Sequence, residues 1–245
     1  MANTLATITE LFLYPVKSMA GVAVQEAHVG LDGLLGDRNY SFVRADQAAH
    51  NSFPWMTARQ SARMLLYKPE FAQAPTADHA EPPVKIRTPE GELHDAGDTA
   101  FCEQLAAKMG HPLFLLRSGR GIFDCQHVSL FSLATVKALA AEVGCDIDRR
   151  QFRANLYIEP ASGNAFEEET WTTSLLQIGS ETILGVTQRD TRCMMVNLDP
   201  ESGQQNPKVL KTVAQGHQGQ VGIYANVVRP GMIRVGDPIR KVATL

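Results

Sequence analysis

Short apolar runs closed by turn residues constrain this chain more than any other feature. "ITELFLYPV", "VAVQEAHV", "YSFVRA", "VKIRTP", "NLYIE", "ILGVTQRD", "CMMVNL", "VGIYANVV" and "IRVGDPIRKV" are brief for core helices and stop at or near Gly, Asp, Asn or Pro. Many such runs in succession predict antiparallel sheets or barrels. Gly36-Asp37, Gly97-Asp98 and Gly236-Asp237 read mainly as turns beside them.

Two segments follow a helical period instead. In "DTAFCEQLAAKMGHP", Phe101, Leu105 and Met109 share a face, and Gly110 with Pro112 marks the stop. In "FSLATVKALAAEVGC", Ser132 is the N-cap, Phe131 and Val136 have hydrophobic-staple spacing, and Gly144 ends the helix. A shorter turn begins at Asp148. "QAPTADHAEPP", residues 73–83, reads as a loop. The Gly-rich "RSGRGIFDCQ", residues 117–126, divides the chain into residues 1–121 and 122–245. The predicted class is α+β, β-rich, with a few helices.

Charge and motifs exclude several functions. The net charge is −3 and the cations are spread out, so a general nucleic-acid binder is not expected. No run approaches the ~18 apolar residues of a membrane helix. "MANTLATITELFLYPVKSMAG" has no basic region before its apolar patch, and Glu10 and Pro15 interrupt it, so it does not read as a signal peptide. Cys102, Cys125, Cys145 and Cys193 form no C-x-x-C pair and no zinc-finger pattern. A reducing cytoplasm is the simplest compartment. Cys102, Cys125 and Cys145 are taken as structural. Phosphate-loop, zinc-protease and serine-hydrolase motifs are missing, and nothing points to pyridoxal phosphate.

What remains is a scattered polar set, each member open to two readings. Lys17 and Ser18 in "LYPVKSMAG" suit a phosphate or a solvated turn, and spacing alone favours the turn. Arg38 in "GLLGDRNYSFV" suits an anion or a neighbouring acid. The helix start at Ser132 and Thr135 suits a phosphate or a simple cap. Arg153 and Asn155 in "RRQFRANLYIE", two apart, face one side of a strand, towards a cleft or towards solvent. Cys193 in "DTRCMMVNLDPESG" is either a soft metal ligand, with Arg192 and Arg189 near to lower its pKa, or a small buried hydrophobe.

Taken together, "LYPVKSMAG", "GLLGDRNYSFV", "RQFRANLYIE", "FEEETWTTSLLQIG", "TRCMMVNLDPESG" and "VGIYANVVRPGMIRVGDPI" are similar in order and spacing to the MOSC superfamily. The closer resemblance is to its branch of amidoxime-reducing components and their bacterial relatives. It implies two β-barrel-like domains, an N-terminal MOSC-type barrel over residues 1–121 and a MOSC domain over 122–245. It also implies molybdenum cofactor (molybdopterin), with Cys193 as the metal ligand and catalytic centre. Lys17, Ser18, Arg38, Arg153 and Asn155 match the residues that hold the pterin. Ser132, Thr135 and Arg192 are further expected contacts.

The implied activity is reduction of N-hydroxylated or N-oxide-type small molecules. Many bacterial relatives carry a fused C-terminal [2Fe–2S] domain. This sequence ends at Leu245 without one, so the expected electron source is a separate ferredoxin- or cytochrome-type protein. The membrane anchor of the mitochondrial members is not found, and a cytoplasmic protein with neither nucleic-acid nor membrane partner is expected. No general acid stands out; Asp199 and His127 are weak candidates. The rival readings are a sulfur or cofactor carrier that uses Cys193, and a scaffold that keeps only the fold.

Overall fold

The computed structural model describes residues 3–244. The first half contains β1 (Thr4–Leu13), β2 (Val22–Val24), β3 (Glu26–Gly30), β4 (Gly33–Leu34), β5 (Tyr40–Arg44), β6 (Lys68–Phe71), β7 (Val84–Arg87), β8 (Leu93–Asp95), helix α1 (Thr99–Met109) and β9 (Leu113–Arg117). The second contains β10 (Val128–Ser132), α2 (Leu133–Val143), β11 (Leu156–Pro160), β12 (Ser174–Ile178), β13 (Thr182–Thr191), α3 (Lys208–Gly216), β14 (Gln220–Arg229), β15 (Gly231–Arg234) and β16 (Pro238–Thr244).

Seven strands close a barrel in the order β11-β10-β14-β13-β12-β16-β1, with β1 returning to pair with β11. Only β10 and β11 run parallel within it. The interior is filled by period-two positions: Ala6 and Ile8, Val128 and Leu130, Leu156 and Ile158, Leu176 and Ile178, Leu184 and Val186, Ile223 and Ala225. The opposite phase of β10 and β11 carries Phe131 and Tyr157, which pack outside the barrel among Val136 and Leu139 of α2 and Val209 and Val213 of α3. β10 is therefore buried on both faces, and its five residues are all apolar or small hydroxyl types.

The second lobe joins β5 to β9 and β6 to β7 and β8 around Phe42, Met64, Tyr67, Ile86, Phe101 and Leu105. A three-stranded sheet, β15-β3-β4, lies between the lobes in chain terms. The expected division at residue 121 falls in a loop, but two elements cross it. β1 belongs to the barrel, and β15 pairs with β3.

The expected cap at Ser132 and stops at Gly110 and Gly144 hold, both glycines ending their helices in the left-handed conformation. Asp98, read as part of a turn, also caps α1. Asp148 caps the 3₁₀ turn Arg149–Phe152. Three sequence readings change. "CMMVNL" is not a strand: Met194–Asn197 form a 3₁₀ turn, pinned where Gln151 donates to the Val196 carbonyl (2.9 Å) and the Asn197 side chain accepts from Leu210 N (2.8 Å). "VAVQEAHV" and "IRVGDPIRKV" each split between two sheets, at Gln25 and at the turn through Gly236. The sequence pattern does not announce α3, because only Val209 and Val213 mark its buried face.

Replacing Ser132 with Ala removes the acceptor for Ala134 N and Thr135 N. Thermal unfolding is expected to show a loss of about 1 kcal/mol.

Candidate functional site

A cleft of about 300 Å³ opens where the barrel meets the second lobe. Lys17, Ser18, Arg38, Arg153, Asn155, Arg192 and Cys193 all line it. Its floor is a cross-strand row. Ser129 of β10, Tyr224 of β14 and Gln188 of β13 stand opposite one another on adjacent strands, and all three face the cleft.

The cationic side is organised around Tyr14, which follows β1. The Arg38 and Arg153 guanidinium groups lie 4.7 and 4.4 Å from its ring centroid. Arg38 pairs with buried Asp37 and donates to the Arg153 carbonyl (3.1 Å). Arg153 donates to the Met19 carbonyl (2.7 Å) and, among the described residues, pairs with no carboxylate. Burial, with Arg38 beside it, brings Arg153 down to about 10. Ser18, Arg38 and Arg153 all adopt positive φ, at 66°, 55° and 54°. A non-glycine residue in that region costs on the order of 1–2 kcal/mol, and such residues cluster at functional sites.

Asn155, expected as a cofactor contact, has its side chain engaged by the protein itself. It is 1% exposed. Its Oδ1 accepts from Ser129 N and Oγ (3.2 Å each), and its Nδ2 donates to the Phe12 carbonyl and to Asp37 Oδ2 (3.1 Å each). Asp37 Oδ1 in turn accepts from Tyr14 N (2.6 Å). Asn155 thus holds Asp37, which holds Arg38. The reading of Arg153 and Asn155 as one strand face also changes, because Arg153 caps the 3₁₀ turn and the strand starts at Leu156.

Lys17 donates to the Ile122 carbonyl (2.9 Å) and pairs with Asp124. Burial lowers its pKa despite that partner. Arg59 reaches the same carboxylate at 3.6 Å. The loop between β9 and β10 is therefore part of the cleft wall.

Cys193 is exposed, and it lines the cleft immediately before the 3₁₀ turn. Arg192 turns the other way. It donates to the Val221 carbonyl (2.8 Å) and the Phe152 carbonyl (2.9 Å), pairs with Asp190 (2.7 Å), and lies against the stacked rings of Phe131 and Phe152. This is possible because residue 222 is glycine: a Cβ there would sit 2.9 Å from Arg192 Nη2. Arg192 ties the Cys193 segment to the barrel, while its buried Nη2 has no partner.

Ser132 and Thr135 stand outside the cleft, which corrects their expected role. The start of α2 does meet an anion, but the anion is the protein's own Glu168. That carboxylate accepts from Ser132 N (3.1 Å) and Thr135 Oγ1 (2.9 Å). Asp199 also lies outside, capping a turn through Glu201 N and Ser202 N.

Sequence reasoning missed Arg59, Asp124, Asp190 and Tyr224, and it took Cys125 as structural. Cys125 is exposed in the cleft and accepts from Gln188 Nε2 (3.0 Å). Among the described residues no cluster of three or more His, Cys, Asp or Glu could hold a metal. The donor set is therefore two exposed thiols, Cys193 and Cys125, with Cys125 engaged by Gln188, facing a bank of cations.

Fold and site together define a β-barrel protein with a thiol-bearing, anion-attracting cleft between two lobes. The MOSC domain family matches residues 103–240, and the MOSC N-terminal beta barrel domain matches residues 5–101. This chain belongs to the MOSC domain family. It is 26% identical to mitochondrial amidoxime reducing component 2 of Bos taurus, over 95% of this chain and 82% of that protein. It is also 26% identical to molybdenum cofactor sulfurase of Drosophila grimshawi, over 95% of this chain but 34% of that protein. The crystal structure of the YUAD protein from Bacillus subtilis shares the fold, with a TM-score of 0.53 and 16% identity over the whole of both chains.

Two variants separate structure from anion binding. Asn155→Ala leaves Ser129 N–H, the Phe12 carbonyl and Asp37 short of partners, and chemical denaturation is expected to show a loss of about 3 kcal/mol. Arg153→Gln removes one of two adjacent cations and is expected to leave stability unchanged or raised. The same substitution should abolish most of the melting-temperature gain that added pyrophosphate gives the wild type.

Proposed function

We propose that this protein binds molybdenum cofactor in the cleft and uses it to reduce N-hydroxylated or N-oxide-type small molecules. The observation that carries the reading is the presence in one cleft of exposed Cys193 and of Arg153, a cation with no carboxylate of its own among the described residues. The residues fit the group. A pterin phosphate needs several donors, and Ser18, Arg38, Arg153 and Lys17 converge from both lobes. A soft metal needs a thiolate, and of the two exposed cleft thiols Cys125 already accepts from Gln188, which leaves Cys193 to serve. The lack of any three-ligand protein cluster among the described residues suits a metal whose other ligands are not from the protein.

When bound, the cofactor supplies the two-electron redox change. The chain supplies the rest. Arg38 and Arg153 are held face-on to Tyr14, so they meet an anion without reorganising. Arg192 fixes the backbone that presents Cys193. Lys17 and Arg59, bridged by Asp124, add charge to the cleft wall. Electrons would come from a separate ferredoxin- or cytochrome-type protein. No helix among the described residues is long and apolar enough to cross a membrane, and the four free thiols suit a reducing compartment such as the cytoplasm.

Elemental analysis of protein made in a host that synthesises the cofactor tests the reading. Near-stoichiometric molybdenum and pterin are expected in the wild type, with molybdenum lost in Cys193→Ser. Unchanged molybdenum in that variant would remove Cys193 as the ligand. Metal-free, pterin-free wild type whose Cys193 takes up a persulfide would favour the sulfur carrier instead.

A further inference from the structure

We propose that Asp190, with Tyr224 beside it, is the proton donor of the cleft, protonating the oxygen that leaves the substrate. This rests on the reductive reading above.

The geometry of β13 carries the argument. The register between β13 and β14 shifts three times, and two of the shifts, between Val186 and Gln188 and between Arg189 and Thr191, flank this part of the cleft. Such irregularities re-aim side chains. Here they turn Asp190 inward, 2% exposed, while Gln188 and Thr191 on either side are open. Asp190 lines the cleft three positions before Cys193, and Tyr224 of the floor lines it beside Asp190. The charged and titratable groups that face the pair are Arg192, which holds Asp190 Oδ2 at 2.7 Å, Arg38, Asp124 and Cys125.

A structural Asp–Arg pair ordinarily keeps its carboxyl ionised. Asp190 differs: burial outweighs Arg192 and brings it up to about 6. A group of that kind gives and recovers a proton near neutrality, as general acids require.

The reaction balances as R–NHOH + 2 e⁻ + 2 H⁺ → R–NH₂ + H₂O. The N–O bond breaks, Asp190 protonates the departing oxygen, and the second proton reaches nitrogen from solvent. Two electrons arrive singly from a reduced one-electron carrier protein, which reduced viologen replaces in the test. Solvent then returns the proton to Asp190.

Cofactor-loaded protein, pre-reduced with viologen, is mixed with an aryl amidoxime, and single-turnover reoxidation is followed from acid to alkaline pH. The wild-type rate is expected to fall as pH rises through about 6. Asp190→Asn should be ~10²-fold slower and lack that limb, with cofactor content unchanged. Asp190→Glu should restore much of the rate, and Tyr224→Phe should fall between. These two variants keep the assignment testable even where Asp190→Asn folds poorly.

Independently of turnover, an infrared pH titration should show a carboxyl band with a midpoint near 6 that the Asn variant lacks. A band titrating in the ordinary carboxylate range would overturn the proposal. So would an Asn variant with wild-type rate and pH profile, in which case the reductase reading would stand. Loaded wild type that turns over no amidoxime would overturn both.

Discussion

The pairing of the first strand with β11 is the contact on which the rest depends. It runs from Ala6 opposite Pro160 to Leu11 opposite Leu156, and it turns an open sheet into a closed barrel. It also fixes where the chain leaves the barrel. Phe12 N donates to the Asn155 carbonyl (2.8 Å), so Tyr14, two residues on, arrives between Arg38 and Arg153. A slip of one residue would exchange the faces of Phe12 and Leu13 and carry Tyr14 away from both guanidinium groups. Barrel closure and assembly of the cationic side are therefore one event.

That assembly works against stability. Two guanidinium groups share one aromatic ring, and among the described residues only Arg38 has an acid against it. Three non-glycine residues at the same place take left-handed backbone. Burial costs a charge several kcal/mol unless it is compensated, and the compensation is incomplete at Arg153. The protein tolerates this because Asn155 and Asp37 tie the turn, β1 and β10 together with buried hydrogen bonds. Strain held by a rigid polar network, facing an open cleft, is the usual mark of a site arranged for a ligand.

What the sequence made legible was local. The cap at Ser132, the turn start at Asp148 and the stops at Gly110 and Gly144 depend on neighbours a few residues away, and each is where the pattern puts it. The same local signal misled about Ser132: it marks a helix start but does not say that Glu168, 36 positions on, already occupies it. Lys17, Arg38 and Cys193 emerged as a set only through the family resemblance, since each alone reads more simply as a turn lysine, a surface arginine and a buried thiol. Asn155 matches a contact position and acts by positioning. Asp190, Tyr224 and Cys125 were invisible because their shared cleft is made by strand register and by two irregularities in β13, neither of which is written in composition or period.

The two sides of the cleft divide the chemistry. Lys17, Ser18, Arg38 and Arg153, gathered around Tyr14, offer positive charge and hydrogen-bond donors. Cys193, Asp190 and Tyr224, carried by β14 and by the end of β13 and the turn after it, offer a thiol and an exchangeable proton. A small anion would satisfy the first side and ignore the second; a lone metal ion would find few soft donors and a bank of repelling cations. A ligand that satisfies both needs an anionic end and a soft, reactive end joined by a body that fills the space between. That requirement follows from the placement of charge in this cleft. It is why a phosphate-bearing metal cofactor accounts for the site better than a bare metal or a bare phosphate would.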